Sequence, residues 1–376
     1  SALFANTTAS NNTAVGAAAL TANTTGTKNT AVGSNAADAI TTGDFNVALG
    51  SDSLTANTTG SSNTALGVEA LKANTTASNN VAIGKDAMIA NTTGTANVAV
   101  GAFALDANTT GDASTAIGYG ALSANTTASS NTACGHSSLN ANTDGVFNVA
   151  FGKDALLINT SGSYNSAFGS FAMDASTGIN NTAIGYGSLS GTTSANNNTA
   201  VGYLALLANT TGTQNTAVGS IAGDAITTGV NNCALGYGAL SANTTGSYNI
   251  AMGVGALGTN TAGDTNVAVG NNAGVYVTGD NNTAIGTNSL SNVTSGGNNT
   301  GLGKYAIASS ATADNEITLG DGNITSLRCA DTSISSLSDR RDKKNITDLS
   351  EGIDFINKLR PVKFEWDTRE GTPAKD

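Results

Sequence analysis

Few residues in this chain could do chemistry, and most of them stand alone. The one histidine, His136, has no neighbour at metal-ligand spacing, and no Cys/His cluster suggests a metal. The three cysteines, Cys134, Cys233 and Cys329, lie far apart along the chain. The first two sit at different places in a repeating unit, so small buried side chains explain them better than a disulfide framework. Acidic residues such as Asp38, Asp44, Asp106 and Asp174 are scattered on loops and form no paired-carboxylate arrangement for polysaccharide cleavage. One stretch differs. In "LSDRRDKKNI", Leu337 to Ile346, six of ten residues are charged, whereas the 320 residues at the start of the chain hold only twenty. On charge alone such a run reads as a solvated loop ahead of a helix.

The elements around that stretch must be read from an unusual composition. The 376 residues include 46 glycines and 2 prolines, with 5% aromatic and 11% charged residues. A typical soluble domain carries about 25% charged residues. Apolar residues make up 39% and are strictly spaced, which favours a repeat of stacked small residues over disorder. The net charge of −11, with no basic block in the first 320 residues, argues against nucleic-acid binding and against an anionic-membrane anchor. No apolar run reaches the length of a transmembrane helix, so no membrane insertion is expected. The opening "SALFANTTAS" carries neither a charged n-region nor an apolar h-region and reads as the middle of a repeat, so the natural chain is expected to begin upstream. Nothing implies a cofactor.

The repeat decides the fold. A motif N-x-A-x-G recurs with terminal glycines from Gly16, Gly33 and Gly50 to Gly286, Gly303 and Gly320, at steps of 17 residues with two steps of 16. Of its nineteen copies, seventeen carry Asn four before the glycine, Ser114 and Glu316 being the exceptions. Seventeen carry Ala two before it, the exceptions being Gly301 and Thr318. The residue before the glycine is apolar in every copy, and the one three before is mostly Thr or Val. Period-two alternation puts these two on one face of a strand and Asn, Ala and Gly on the other. A second apolar mark often lies four after the glycine, as at Leu20, Leu54, Leu71 and Leu105. "ANTTG" and its variants supply turn chemistry between units. Nine "NTT" triplets, from Asn6 to Asn243, match a glycosylation acceptor, but the repeat itself accounts for them as turns.

One strand plus turns cannot bury an apolar face alone. The units must stack, one coil each, as an all-β parallel β-solenoid or β-roll of about nineteen 17-residue coils over residues 1–320. At about 4.8 Å per strand this makes a rod of roughly 90 Å. Asn at one place in successive coils predicts a hydrogen-bonded ladder that fixes register. So small a coil suggests little interior, and packing several chains around one axis is the simplest way to bury both faces. Rows of Thr on a flat solenoid would also suit ice binding, but the C-terminal segment has no place in that function.

After Gly320 the composition switches: residues 321–376 hold 21 charged residues, both prolines and the only tryptophan, Trp366. Residues 321–338 read as a connector. Asp348 and Glu351 have capping-box spacing, Leu349, Ile353, Ile356 and Leu359 fall on one helical face, and Pro361 stops the helix. "VKFEW", Val362 to Trp366, alternates as a half-buried strand does. Residues 339–376 thus open an α+β domain but are too few to build its core, which marks the segment as truncated or dependent on partner chains.

Two resemblances carry function. The repeat is similar to the head repeats of trimeric autotransporter adhesins, which lie on a parallel β-roll, and to fibre repeats of phage tail proteins. The segment from "LSDRRDKKNI" to "FINKLRPVKFEWDTREG" resembles the start of the intramolecular chaperone domain of endosialidase-type tail proteins. Its Ser-Asp-x-Arg-x-Lys opening, the helix ending in "LRPV" and the aromatic strand occur in the right order. The resemblance implies a homotrimeric rod whose chaperone assists assembly and then cleaves itself off. The cleaved bond would be Ser338–Asp339, with Ser338 supplying the hydroxyl and Lys343 acting as base. A Ser–Lys pair is a known arrangement for acyl chemistry. Crowding by Arg340, Arg341 and Lys344 would lower the lysine's proton affinity, because like charges disfavour the charged form. The expected function is the structural shaft of a phage tail fibre or spike, on the virion tail and extracellular after release. Its partners would be itself, other tail proteins and a bacterial surface receptor, glycan or protein. The alternative is the head of a trimeric bacterial surface adhesin, which would need a signal peptide, a coiled-coil stalk and a membrane barrel.

Overall fold

A computed structural model describes residues 1–328. The chain divides into two units, Ser1–Ile324 and Thr325–Asp376, so the described residues are the whole of the first and four residues of the second. The helix and strand expected between Asp348 and Trp366 lie outside the described residues.

Nineteen three-residue strands, β1 (Thr13–Val15) to β19 (Ile317–Leu319), form one sheet, and no helix occurs among the described residues. Each strand pairs in parallel with the next along the chain. Thr30, Ala31 and Val32 lie beside Val47, Ala48 and Leu49, and these beside Thr64, Ala65 and Leu66. Every 17-residue step therefore makes one coil, and the all-β parallel solenoid expected from the repeat is the fold. In seventeen of the nineteen strands the central residue is Ala, which points inward, as Ala31, Ala48 and Ala65 do, fully buried, while its two neighbours point out.

The interior is larger than a coil of this length suggests, because the turns also face inward. Most coils add a buried Leu or Met four after the glycine, such as Leu54, Leu71, Met88 and Leu105, the exceptions including Ala37, Gly223 and Gly274. These join the strand alanines in one continuous core that a lone chain buries by itself. The leucines reach inward through left-handed backbone: Glu69, Leu71 and Asn79 of one coil have φ of 61°, 51° and 64°. Left-handed Leu is uncommon and costs about 1–2 kcal/mol. Full burial of its side chain returns about 2 kcal/mol. These turns also aim main-chain groups both up and down the stack. Leu71 N donates to Ala87 O in the next coil, and Glu69 N to Ser51 O in the previous one. Hydrogen bonds therefore join coils on every side, not only along the strand.

Two columns of buried asparagine complete the interior. The motif Asn forms the expected ladder: Asn46 donates its main-chain N–H to Asn29 Oδ1 at 2.9 Å and its Nδ2 to Gly60 O at 2.9 Å. Where Ser114 replaces Asn, its hydroxyl takes over as acceptor for Asn131 N. Where Glu316 does, the carboxylate turns away to Ser309. The second column is the Asn of "NTT". Asn57, Asn74 and Asn91 are fully buried. Asn74 Nδ2 donates to Asn57 Oδ1 at 3.0 Å and to Ala77 O at 3.1 Å. An amide so engaged cannot carry a glycan in the folded chain, which agrees with the turn reading of these triplets. The two 16-residue coils lose one residue from this turn, and Asn165 Nδ2 still reaches the turn glycine, Gly178 O, at 2.8 Å.

Candidate functional site

Ser338, Asp339 and Lys343, with the flanking Arg340, Arg341 and Lys344, lie outside the described residues. Among the described residues, no group of three His, Cys, Asp or Glu side chains could hold a metal ion. His136 stacks on Tyr119 at 5.3 Å between ring centroids, and Cys134 and Cys233 are free thiols. No helix among the described residues is long and apolar enough to cross a membrane. Asp280 and Asp314 line a shallow surface depression where Gly297 omits a side chain, but both carboxylates already serve the turns. Asp280 accepts from Asp264 N at 2.8 Å, and Asp314 from Gly297 N at 2.7 Å.

Of the aspartates that looked scattered, all but Asp44 share one coil position, which Asp224 also holds. Asp38, Asp106, Asp174 and Asp224 each stand five residues after an anchor glycine. Burial raises all four above the ordinary aspartate value, partly opposed by main-chain hydrogen bonds and, at Asp106, by the Ser123 hydroxyl. One oxygen of Asp38, Asp106 and Asp224 has no hydrogen-bond partner, and Ile89 and Leu207 occupy the same position in the coils before Asp106 and Asp224. A carboxyl raised in the fold adds stability below about pH 4, its ordinary range, and loses it as pH rises through the folded value. Asp106→Asn is therefore expected to raise the melting temperature at neutral pH and leave it unchanged at pH 3. A lower melting temperature at neutral pH would contradict this account.

The surface with the most consistent chemistry is the outward face of the sheet. The residue before each anchor glycine points out of the coil and is apolar in all nineteen strands: Val32, Leu49, Ile83, Cys134, Phe151, Phe168, and so on. Its partner on that face is Thr, Val, Ser, Cys or Ile, never a charged residue. Phe151 and Phe168 stack at 5.2 Å with 4° between ring planes. Just past the strand runs a column of rings and lysines. Tyr119 and Tyr186 pack edge-on against Phe103 and Phe171. Lys85 and Lys153 lie over those phenylalanines at 5.3 and 5.2 Å while pairing with Asp86 and Asp154. This four-residue arrangement occurs twice, and its rings stack mainly on one another along the coils, so it reinforces register rather than offering open ring faces.

Residue types and spacing placed this face correctly, since alternation about Ala leaves only one side for the flanking pair. The aspartate column escaped notice because its members are several coils apart in sequence. Its signal is the shared offset from the anchor glycine.

No curated protein matches the chain. Residues 338–376 match the family model described as the chaperone of endosialidase, the match opening on Ser338. A parallel β-solenoid followed along the chain by a segment of this chaperone family fits a tail-spike-like protein with a chaperone domain.

Proposed function

We propose that the chain is the homotrimeric shaft of a phage tail fibre or spike, borne on the virion tail and serving attachment to a bacterial surface receptor. In this reading the C-terminal chaperone segment aligns three chains and then cuts itself off. The match of residues 338–376 to the chaperone of endosialidase, in a chain whose described residues form a nineteen-strand solenoid, carries this reading. Ser338 supplies the hydroxyl and Lys343 the base that takes its proton. The bond that breaks joins the Ser338 carbonyl to the Asp339 nitrogen, and water ends as the new carboxylate and the proton on the new amine.

The repeat gives a physical reason for such a device. Ala31, Ala48 and Ala65 occupy equivalent places in successive coils, so a slip by one whole coil between chains changes few contacts. Aligning separate chains also carries a high closure cost and slow nucleation. A clamp at one end fixes alignment before the coils zip, and its removal afterwards makes the assembled state kinetically hard to undo.

The test uses the full-length gene product that contains this chain, analysed by gel and mass spectrometry. A fragment beginning at Asp339 is expected from the wild type and is lost in Ser338→Ala and in Lys343→Ala. Intact chain in all three, or cleavage that persists in both variants, would sink the autoproteolytic reading. Light scattering is expected to give three chains per particle.

A further inference from the structure

We propose that the outward strand face is where copies of this chain meet, packed parallel and in register along the whole sheet. The inference rests on the reading of the solenoid as a self-assembled shaft, and adds to it the surface and the alignment.

One row of the face, the residue before each anchor glycine, is apolar throughout where nothing in a lone chain requires it. Val15 is 57% exposed, Ile117 41%, Phe168 40% and Leu302 39%. A sheet face meant for water alternates with charged or polar residues. Here charge is kept off both outward strand positions through nineteen coils, yet it occurs elsewhere on the perimeter, at Asp44 and Asp112 before the strand and Lys85 and Lys153 after it. Each of the nineteen side chains exposes on the order of 50 Å², so the stripe reaches on the order of 1,000 Å², beyond the largest apolar patch of a typical monomer. That area also meets the lower bound of about 1,000 Å² for a specific interface. Tyr119, Tyr186, Tyr203 and Tyr237 are exposed along one rim, together with Lys85 and Lys153. An apolar centre with a polar rim is the anatomy of a protein interface.

The periodicity identifies the occupant. A globular partner of another sequence would meet a local patch, whereas this one repeats at every coil. A surface that matches it at each step must share its repeat of about 4.8 Å, and another copy does. Rotation about an axis along the stack brings identical residues to one height. The stripe has landmarks that reward this alignment: the stacked Phe151 and Phe168, and the two 16-residue coils. In register, Phe layers meet Phe layers and short coils meet short coils. A one-coil slip sets Phe151 against Cys134 or Phe168 against Ile184.

Cys134, on the stripe in β8 (Thr132–Cys134), reports on this directly. In the full-length protein, Cys233→Ser and Cys329→Ser leave it as the only cysteine of residues 1–376. Diamide, which accepts two electrons and two protons from two thiols, is expected to convert most of the chain to disulfide-linked pairs on a non-reducing gel. A matched chain with Cys134→Ser and Thr59→Cys, on an exposed turn away from the strand, is expected to stay unlinked. If Thr59→Cys links while Cys134 does not, and light scattering still shows an oligomer, the assigned face is wrong and the shaft reading stands. A monomer at about 10 μM by light scattering overturns both. As a second arm, Phe151→Asp with Phe168→Asp is expected to give a monomer with unchanged circular dichroism, because both rings already face out of the lone chain. An oligomer of wild-type mass from that variant would also overturn the inference.

Discussion

Gly84→Ala is expected to destabilise the solenoid by about 3 kcal/mol or more, combining a backbone conformation essentially restricted to glycine with overpacking. Gly84 has φ of +135°, and a Cβ built there would lie 2.6 Å from both the carbonyl carbon and the carbonyl oxygen of Gly101 in the next coil. Those are main-chain atoms already committed to coil stacking, with Gly101 N donating to Ile83 O at 2.7 Å, so they cannot yield without shifting a coil. The anchor glycines from Gly16 to Gly286 stack on one another in this way along the column, which is why the motif ends in Gly there. The control is Gly238→Asn. Gly238 has φ of +61° and only Ser241 Oγ near its Cβ, at 3.9 Å. Asn35, Asn272 and Asn288 hold the same coil position at φ of 55°, 50° and 55°. That substitution is expected to be within about 0.5 kcal/mol of neutral. Coils touch only their neighbours, so the Gly84→Ala cost should appear as faster hydrogen exchange in the flanking coils as well as a lower melting temperature. Wild-type exchange at the Gly101 amide would show that the close approach does not constrain the residue.

The same glycine column shows what was legible in the sequence. A residue kept as Gly through nineteen copies, preceded by an alternating triplet, specifies a strand, its inward Ala and its outward pair from period two alone. The left-handed leucines were not legible in the same way. Leu71 reads as an apolar mark, but nothing in its side chain announces φ of 51°, a conformation that glycine or asparagine would signal. Coil length alone therefore understated the interior, because turns that reverse at Leu71 carry side chains into the coil. The "NTT" asparagines were legible as turns but not as core. Asn followed by two threonines reads as turn chemistry, and only the stacked geometry shows Asn74 closed on both sides by identical neighbours. The Ser338–Lys343 pair was legible only as part of a family pattern. By spacing alone, a hydroxyl and an amine five residues apart in a charged run do not differ from a solvated loop.

Asn91→Leu is expected to cost about 3 kcal/mol although it nearly conserves volume, because each buried polar group left without a partner costs about 1–3 kcal/mol. Asn91 Nδ2 donates to Asn74 Oδ1 at 3.0 Å and to Gly94 O at 3.0 Å, and its Oδ1 accepts from Asn108 Nδ2 at 2.8 Å. Leucine would remove all three bonds and orphan Asn74 Oδ1 in the core. The chain contains its own precedents. Ile40 and Ile226 stand where the ladder would continue, and in the coil before each, Asn23 Oδ1 and Asn209 Oδ1 are the buried oxygens without a partner. Those two breaks are tolerated because isoleucine adds fully apolar burial while only one side-chain oxygen is stranded. They also predict the sign of the reverse change: Ile226→Asn would satisfy Asn209 Oδ1 but give up that burial, so its net effect should fall within about 1 kcal/mol of zero. The asymmetry between the two substitutions separates a hydrogen-bonded ladder from simple space filling. If the column were only packing, Asn91→Leu would stabilise the coil and Ile226→Asn would destabilise it by about 2 kcal/mol or more. Thermal melts of the two variants, measured side by side, decide between these outcomes.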